Sequence, residues 1–297
     1  MMEKAQGLPA DQVFLDLEDA VAPTAKEAAR ADVVAALVDG DWSGRTRTVR
    51  VNALATPWTL GDVLEVVEGA GAQLDTLMLP KVSSPADVQW LDLTLTQLEQ
   101  THGLPVGHIG IDVQIEDARG LLAVEAIASA SPRVEALHFG PGDFQASLAM
   151  RTLAVGALHP DYPGDPMHHV HLTLLVAARA YGIQVLDGPF TAIPDLDGLR
   201  ASARRVAALG FDGKWVLHPS QIDVVNEVFT PSQAEFDEAE ALLAAYEHAR
   251  SAEGGARGAV MLNGAMIDGA TRAIALTITA RGRASGLTRT PDAGAPQ

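Results

Sequence analysis

IGIDVQIE, residues 109–116, has the composition of a buried β-strand and ends in a carboxylate, Glu116. The next such run is VEALHFG, residues 134–140, and the string HFGPGDF places a second carboxylate, Asp143, just behind it. Short runs rich in Val, Ile and Leu that alternate with helix-length segments are typical of parallel βαβ units. The carboxyl ends of parallel strands meet on one face, so Glu116 and Asp143 are predicted to lie close together.

The same pattern extends in both directions along the chain. Five further strands are predicted, at residues 13–17, 46–52, 76–81, 183–188 and 213–218. Intervening helices are predicted from helical spacing or from an Ala- and Leu-rich composition, at residues 24–38, 118–129 and 195–209. Seven parallel strands fit either an open doubly wound sheet or a closed eight-stranded barrel. No Gly-rich dinucleotide-binding fingerprint follows any of them, which favours an α/β fold of the (β/α)8 TIM-barrel type.

From residue 231 the character of the sequence changes. Residues 231–253 predict one helix, opened by Thr230-Pro231-Ser232 and ended by Gly254-Gly255, and residues 258–282 predict a short strand and a closing helix. The remaining residues are rich in Gly, Pro, Thr and Ala, which predicts disorder. The predicted parts are a barrel catalytic domain (1–230), a small C-terminal α-rich segment (231–282) and a disordered tail (283–297).

The composition excludes several classes of protein. The 297 residues include 38 acidic and 21 basic side chains, and the resulting charge of −17 argues against a general nucleic-acid-binding protein. The absence of cysteine excludes disulfide scaffolds, thiolate metal sites and cysteine nucleophiles. No apolar run reaches the ~18 residues of a membrane-spanning helix, and the N-terminal residues lack the apolar segment of a secretory signal. A cytoplasmic protein with no membrane partner is therefore expected.

Charged residues follow most of the predicted strands. They are Asp16, Glu18, Asp19, Arg50, Lys81, Glu116, Asp143 and Lys214. Two carboxylates on adjacent strand ends, with positions left for water and ligand, suit a hard divalent cation such as Mg²⁺. Asp16 and Glu18 share one face of their strand by alternation and, with Asp19, are candidates to hold metal-bound water. Structural alternatives remain open for these residues. An acidic residue after a strand is also a candidate helix N-cap, and Lys81 and Lys214 are as well suited to a salt bridge with a barrel carboxylate as to contact with a ligand.

Six strings with this arrangement resemble a known family. They are VFLDLEDAVAP (13–23), VRVNALATPW (49–58), LMLPKV (77–82), VQIEDARGL (113–121), HFGPGDFQASL (138–148) and GKWVLHPSQI (213–222). Together they are similar to the citrate-lyase β-subunit and malyl-CoA lyase family of CoA-ester aldolases, the HpcH/HpaI aldolase group, over nearly the whole chain. The strings RVNALATPW and HFGPGDF followed by SLAMRT are closer to malyl-CoA and β-methylmalyl-CoA lyases than to the citrate-lyase subunit itself.

The resemblance implies a Mg²⁺-dependent carbon–carbon lyase that acts on a CoA thioester. Its expected reaction splits malyl-CoA or β-methylmalyl-CoA into glyoxylate and acetyl-CoA or propionyl-CoA, or joins these products by a Claisen-type condensation. A citramalyl-CoA lyase, a malyl-CoA thioesterase and a citrate-lyase-like subunit that needs an acyl-carrier partner remain alternatives. Family members begin with a strand of the type LFVPGS before a helix like MEKA, so the first barrel strand is expected to be absent from this chain.

The resemblance also implies a role for individual residues around the metal. Glu116 and Asp143 match the Mg²⁺ ligands, with Mn²⁺ as an alternative ion, and Glu116 would also contact substrate. Arg50 matches the arginine that faces the carboxylate and carbonyl of the 2-oxo acid, as both a catalytic and a substrate-binding residue.

Other residues are implied to bind CoA or to move a proton. Lys4, in MEKA, matches a lysine that helps to hold CoA, and Val216 and Leu217 match the strand whose backbone lines the acyl site. Asp268, in GAMIDGA, matches a catalytic acid that the C-terminal segment of one subunit delivers to the barrel of its neighbour. A homo-oligomer, a trimer or a hexamer, is therefore expected.

Overall fold

The computed structural model of the chain describes residues 2–251, 258–262 and 265–290. The chain divides into two compact units, Met1–Val225 and Asn226–Gln297. The part of the predicted disordered tail from residue 291 onwards lies outside the described residues. No helix within the described ranges is long and apolar enough to cross a membrane.

The first unit contains a seven-stranded parallel sheet whose strands lie in chain order. The strands are β1 (Gln12–Asp16), β2 (Thr46–Arg50), β3 (Thr76–Leu79), β4 (Gly110–Ile115), β5 (Val134–Phe139), β6 (Gln184–Asp187) and β7 (Gly213–Lys214). Each strand pairs in parallel with the next. The α/β class and the parallel sheet predicted from the sequence are confirmed.

Helices alternate with these strands. The helices of the first unit are α1 (Met2–Ala5), α2 (Lys26–Asp39), α3 (Thr59–Ala70), α4 (Pro85–His102), α5 (Ala118–Leu122), α6 (Val124–Ala128), α7 (Pro141–Ser147), α8 (His168–Tyr181) and α9 (Leu196–Leu209), followed by α10 (Ile222–Phe229), which runs into the second unit. The prediction of one helix over 118–129 is wrong. The backbone leaves the helical conformation at Ala123 (ψ 5°), whose amide is shared among three preceding carbonyls, so α5 and α6 are separate helices.

The last predicted strand, 213–218, is also wrong in length. The ladder continues one step beyond β7, because the Trp215 amide donates to the Asp187 carbonyl at 2.9 Å. The Leu217 amide then donates to the side-chain oxygen of Gln221 at 2.8 Å instead of to strand β6. Val216 and Leu217 therefore lie in the loop behind β7 and not in a strand.

The central strands of the sheet are closed off from solvent. Every residue of β3 and β4 is buried, as expected for central strands of a parallel sheet that is covered on both faces. The sheet is strongly curled, since the ring of Phe14 on β1 lies 4.6 Å from the ring of Trp215 behind β7. Within the described residues β1 pairs with β2 and β7 with β6, so the sheet is barrel-like and open between its first and last strands.

A belt of hydrogen-bonded side chains crosses the interior of the curled sheet. Gln12 Nε2 donates to Thr48 Oγ1 at 2.7 Å and to Asp112 Oδ2 at 2.6 Å. The hydroxyls of Thr48 and Thr76 are 2.7 Å apart, and the Thr76 hydroxyl donates to Asp112 Oδ2 at 3.2 Å. These four residues, which we call the interior belt, connect strands β1 to β4.

The second unit is mainly helical. Its elements are α11 (Gln233–Arg250), β8 (Val260–Leu262), β9 (Ala265–Ile267) and α12 (Gly269–Ala284). Ser232 and Glu235 form a capping box that begins α11, and the two long helices pack where Gly282 of α12 leaves room for the ring of Phe236. The segment 258–282 was predicted to contain one strand, but β8 and β9 form an antiparallel hairpin.

Candidate active site

Four charged side chains meet at the carboxyl ends of β1, β3, β4 and β5. The Lys81 ammonium lies 2.5 Å from Glu18 Oε1, 4.0 Å from Glu116 Oε1 and 3.9 Å from Asp143 Oδ2. Glu18 and Glu116 are buried, whereas the Asp143 side chain is 47% exposed in the first turn of α7. These four side chains, which we call the carboxylate cluster, form the face on which (β/α)8 enzymes place their active sites.

Lys81 occupies the centre of the carboxylate cluster, a place that its position in the sequence did not reveal. Its backbone is left-handed (φ 53°), a conformation that is uncommon for residues other than glycine and that is found often at functional sites. This conformation turns the Lys81 amide toward Glu116, where it donates to Oε1 at 2.8 Å. Of the two alternatives predicted for Lys81, the structure shows the salt bridge.

Glu116 is held by its neighbours on β4 and β5. Gln114 Nε2 donates to Glu116 Oε2 at 2.6 Å, and the Gln114 side-chain oxygen lies 3.4 Å from Arg50 Nη1. Gly140 follows β5 directly against this carboxylate, and a Cβ there would lie 2.5 Å from Glu116 Cβ. Any side chain at residue 140 would displace Glu116, which explains why the strand HFG ends in glycine.

The environment of Glu116 favours the protonated form of its side chain. Burial raises the pKa of Glu116 to about 8, with Lys81 opposing the shift and the nearby carboxylates of Asp143 and Glu18 adding to it. Burial likewise raises the pKa of Glu18, although Lys81 and Arg50 oppose the shift. The carboxylate cluster therefore holds more acidic groups than its resident cations neutralise.

Arg50 ends β2 beside the carboxylate cluster. Its Nε and Nη2 atoms form a bidentate salt bridge with Asp16, at 2.8 and 2.6 Å, while Nη1 lies 3.2 Å from Glu18 Oε2. Burial alone would raise the pKa of Asp16, but the hydrogen bonds from Arg50 lower it below its usual value. The fork of Arg50 is thus occupied by Asp16, and Nη1 is the nitrogen with the longest contacts.

The loop behind β1 is fixed by hydrogen bonds. Asp16 accepts from the amides of Glu18 and Ala20 at 2.9 and 3.1 Å, so it is both a turn cap and the partner of Arg50. The buried Lys26 ammonium donates to the Leu17 and Glu18 carbonyls at 2.9 and 2.8 Å. Asp19 is exposed. Lys26 was missed by the sequence analysis, because nothing local distinguishes it from a solvated helix lysine.

The donor set of this site fits Mg²⁺. All the candidate ligands are carboxylate oxygens, which hard divalent cations prefer, and Glu18 Oε2 is buried with the Arg50 ion pair at 3.2 Å but no hydrogen bond. Once Glu116 has released its proton, four carboxylates, counting Asp16, face two cationic side chains, so one divalent ion would balance the charge. Within the described ranges no group of three or more His, Asp or Glu side chains has metal-binding geometry. Glu116 and Asp143 would therefore bind the ion with water completing its coordination.

The family of the chain follows from comparison with known proteins. The model of the HpcH/HpaI aldolase/citrate lyase family matches residues 1–219. The chain belongs to the HpcH/HpaI aldolase/citrate lyase family. The family resemblance stated from the sequence motifs is therefore confirmed.

Characterised members of the HpcH/HpaI family are similar over most of their length. An L-malyl-CoA/β-methylmalyl-CoA lyase of Cereibacter sphaeroides is 39% identical over 277 residues, which cover 90% of this chain and 86% of that protein. A (3S)-malyl-CoA thioesterase from the same species is 37% identical over 269 residues, covering 90% of this chain and 85% of that protein. The CitE protein of Mycobacterium tuberculosis, solved with magnesium, acetoacetate and coenzyme A, is 33% identical, with a TM-score of 0.71 and coverage of 94% and 91%.

The residues predicted from the HpcH/HpaI resemblance to bind CoA and the acyl chain lie outside the carboxylate cluster. Lys4 is an exposed side chain of the short helix α1. Val216 is partly buried and Leu217 is exposed in the loop behind β7. The Leu217 amide is bonded to Gln221, and the two residues do not form the strand that was predicted.

Asp268, the predicted acid of the HpcH/HpaI family, belongs to the second unit. It is the N-cap of α12, where Oδ1 accepts from the amides of Ala270 and Thr271 and from the Thr271 hydroxyl, each at 3.0 Å. The hydrogen bonds from Thr271 hold the pKa of Asp268 below its usual value. These contacts all use Oδ1, and they fix the direction of the carboxylate.

We expect the unfolding free energy of the metal-free protein to fall as the pH rises from about 4.5 to 8. Glu116 keeps its proton to about pH 8 in the folded chain, whereas an unfolded chain releases it near pH 4.3. The folded state therefore binds the extra proton in this window, and the loss is roughly 1.4 kcal/mol per pH unit. Urea unfolding in a chelator should show this slope in the wild type and not in Glu116→Gln. Parallel curves for the two proteins would contradict the assignment.

Proposed function

We propose that the protein is a Mg²⁺-dependent CoA-ester lyase. It splits malyl-CoA or β-methylmalyl-CoA into glyoxylate and acetyl-CoA or propionyl-CoA, and it catalyses the reverse condensation. The observation that carries this proposal is the carboxylate cluster beside Arg50, at the carboxyl ends of the strands, in a chain whose relatives are lyases acting on these thioesters. Mg²⁺ and CoA, bound by the related CitE protein, are accordingly proposed as ligands of this chain.

Glu116 and Asp143 would hold the metal, and Asp16, Glu18 and Asp19 would hold its water molecules. When bound, Mg²⁺ would act as a Lewis acid toward the carbonyl of the 2-oxo acid. Arg50 would bind the oxo-acid carboxylate through Nη1, because its Nε and Nη2 are committed to Asp16. Lys81 would hold Glu18 and offset part of the negative charge that an anionic substrate meets.

The chemical step needs one proton transfer at each end of the bond. In the condensation, a base removes a proton from the α-carbon of the acyl thioester, and the resulting carbanion forms the new bond to the glyoxylate carbonyl carbon. The former carbonyl oxygen then takes up a proton to become the hydroxyl group. Cleavage reverses these steps: the hydroxyl loses its proton, the carbon–carbon bond breaks, and the α-carbon is protonated.

Asp268 is proposed as the group that exchanges the proton with the α-carbon. Its Oδ1 is committed to the cap of α12, so Oδ2 would be the oxygen that carries the proton. We propose that a neighbouring subunit supplies this residue within a homo-oligomer, a trimer or a hexamer. Lys4 and the backbone at Val216 and Leu217 are proposed to contact CoA and the acyl chain.

Mass spectrometry of a reaction that contains acetyl-CoA or propionyl-CoA, glyoxylate and Mg²⁺ tests the proposed activity. We expect malyl-CoA or β-methylmalyl-CoA as the product, and the thioester with glyoxylate when the reaction starts from the other side. A pocket distinguishes acyl chains that differ by one methyl group by only ~1–3 kcal/mol, so both acyl donors should be turned over. Free CoA as the main product would contradict a lyase and identify a thioesterase, the second candidate, which the 37% identical thioesterase relative favours.

The same assay tests the remaining alternatives. Turnover of citramalyl-CoA in preference to both malyl thioesters would identify a citramalyl-CoA lyase. Turnover of any free CoA thioester by the isolated protein excludes a subunit that depends on an acyl carrier. Inactive Asp268→Asn and Arg50→Ala proteins should regain partial activity when their subunits are exchanged. No recovery after confirmed exchange would contradict the supply of Asp268 by a neighbour.

A further inference from the structure

Arg50 lies against two aromatic rings that contact each other, and Asp16 holds it as well. Its guanidinium carbon lies 5.7 Å from the ring centre of Phe14 and 5.6 Å from that of Trp215. The bidentate salt bridge to Asp16 fixes the edge of the guanidinium, and the two rings restrict its remaining motion. The position of Arg50 therefore depends on the position of Trp215, which follows a strand of only two residues and needs support from elsewhere.

That support is a buried hydrogen bond from Trp215 to β5. Trp215 Nε1 donates to His138 Nδ1 at 2.7 Å, and both side chains are more than 90% buried. An indole nitrogen only donates, so His138 Nδ1 must be the acceptor, and a neutral imidazole then carries its proton on Nε2. His138 Nε2 lies 3.4 Å from Asp112 Oδ2, with no hydrogen bond between the two atoms. Asp112 is itself fixed by Gln12 and Thr76 of the interior belt.

We propose that Asp112, His138 and Trp215 form a positioning chain that fixes the guanidinium of Arg50 in the active site. Asp112 lies beside Nε2 of His138, His138 accepts the hydrogen bond that holds the indole of Trp215, and the indole limits the movement of Arg50. The role of this positioning chain in function rests on the proposed binding of the oxo acid by Arg50. The three residues are proposed to act on the active site through Arg50.

The reactivity of Arg50 toward phenylglyoxal measures this positioning without requiring activity. The protein is treated with the reagent, digested with a protease that cleaves at glutamate, and the modified arginines are quantified by mass spectrometry. Arg133 is the internal reference, because it is buried in salt bridges with Glu99 and Asp92. A general loosening of the fold would raise the rate of modification at both arginines, whereas loss of the positioning chain would raise it at Arg50 alone.

Four variants separate the positioning role from core packing. Trp215→Phe and His138→Leu should raise the rate at Arg50, relative to Arg133, by about fivefold, as expected when one weak interaction is lost. His138→Asn keeps an oxygen acceptor near the place of Nδ1 and should restore the wild-type ratio. Trp42→Phe is the matched control, because Trp42 is also buried and donates through Nε1, to the Ala36 carbonyl. It should leave the ratio unchanged.

The results that overturn the proposal are distinct from failure of the proposed function. The proposal would be overturned if Trp215→Phe left the modification rate of Arg50 relative to Arg133 unchanged. An equal rise in the modification rates of both arginines would overturn it as well. In the condensation assay, Trp215→Phe should also raise KM for glyoxylate more than it lowers kcat, and Trp42→Phe should change neither. A wild type without turnover would contradict the lyase, while the labelling ratios would still decide whether the chain positions Arg50.

Discussion

Glu116→Gln is expected to lower Mg²⁺-dependent turnover about a thousandfold, because a metal ion contributes several kcal/mol to charge stabilisation. Glutamine keeps the size of the side chain but cannot balance a divalent cation. In a chelator the variant should match the stability of the wild type near pH 4.5 and exceed it at pH 7, since glutamine resembles the protonated acid and burial raises the pKa of Glu116 to about 8. Turnover, Mn²⁺ binding by electron paramagnetic resonance and thermal unfolding in a chelator measure the three expectations.

Two further variants define the specificity of that result. Asp143→Asn should lose turnover and Mn²⁺ binding in the same way, because it removes the other proposed ligand from an exposed helix turn. Glu68→Gln removes the same charge from the exposed face of α3 and should leave both measurements at the wild-type level. Full turnover or unchanged Mn²⁺ affinity in Glu116→Gln would rule out the metal assignment.

Asp187→Asn is expected to lower the unfolding free energy at pH 7 by about 3–5 kcal/mol, because it leaves a buried charge without its partner. Asp187 forms a salt bridge with Lys214, whose side chain is 0% exposed and also donates to the Gly188 carbonyl at 2.7 Å. His171 Nε2 lies 3.2 Å from the other oxygen of Asp187. Urea unfolding of the wild type and the variant measures the loss.

The pH dependence and two matched variants test the origin of this effect. Burial alone would raise the pKa of Asp187, but Lys214 and His171 hold it well below its usual value. The contribution of Asp187 is therefore fully present above about pH 4 and is lost as the pH falls below that value. Glu247→Gln, which breaks the exposed pair with Arg272, should cost less than about 1 kcal/mol. Adding Lys214→Met to Asp187→Asn should recover stability, and no recovery would refute the buried-charge explanation.

The sequence predicted most of the sheet because strand formation there depends on local composition. All seven predicted strands exist, and β4 lies within the quoted run IGIDVQIE. The errors arise where a non-local hydrogen bond ends an element. The side chain of Gln221 accepts a hydrogen bond from the Leu217 amide and so ends the last strand. Nothing in the run GKWVLH predicts that interaction.

The candidate site was predictable in part for the same reason. Glu116 and Asp143 follow adjacent strands, so their proximity follows from topology. The left-handed backbone of Lys81 and the burial of Lys26 depend on tertiary contacts, and the pairing of Trp215 with His138 joins residues 77 positions apart. Such features could not be predicted from a single sequence, because a lysine that follows a strand is compatible with several roles.

The interior belt bears on how the chain avoids misfolding. Two neighbouring apolar strands can slip past each other by two residues and still bury the same faces, so hydrophobicity alone does not exclude that error. A slip of β1 against β2 would separate Gln12 from Thr48 and leave polar atoms unpaired inside the sheet, at a cost of about 1–3 kcal/mol for each. Asp112 would lose the Gln12 contact at the same time. The interior belt thus destabilises misaligned arrangements of the four strands. The carboxylate cluster at the carboxyl ends of the strands assembles only when their alignment is correct.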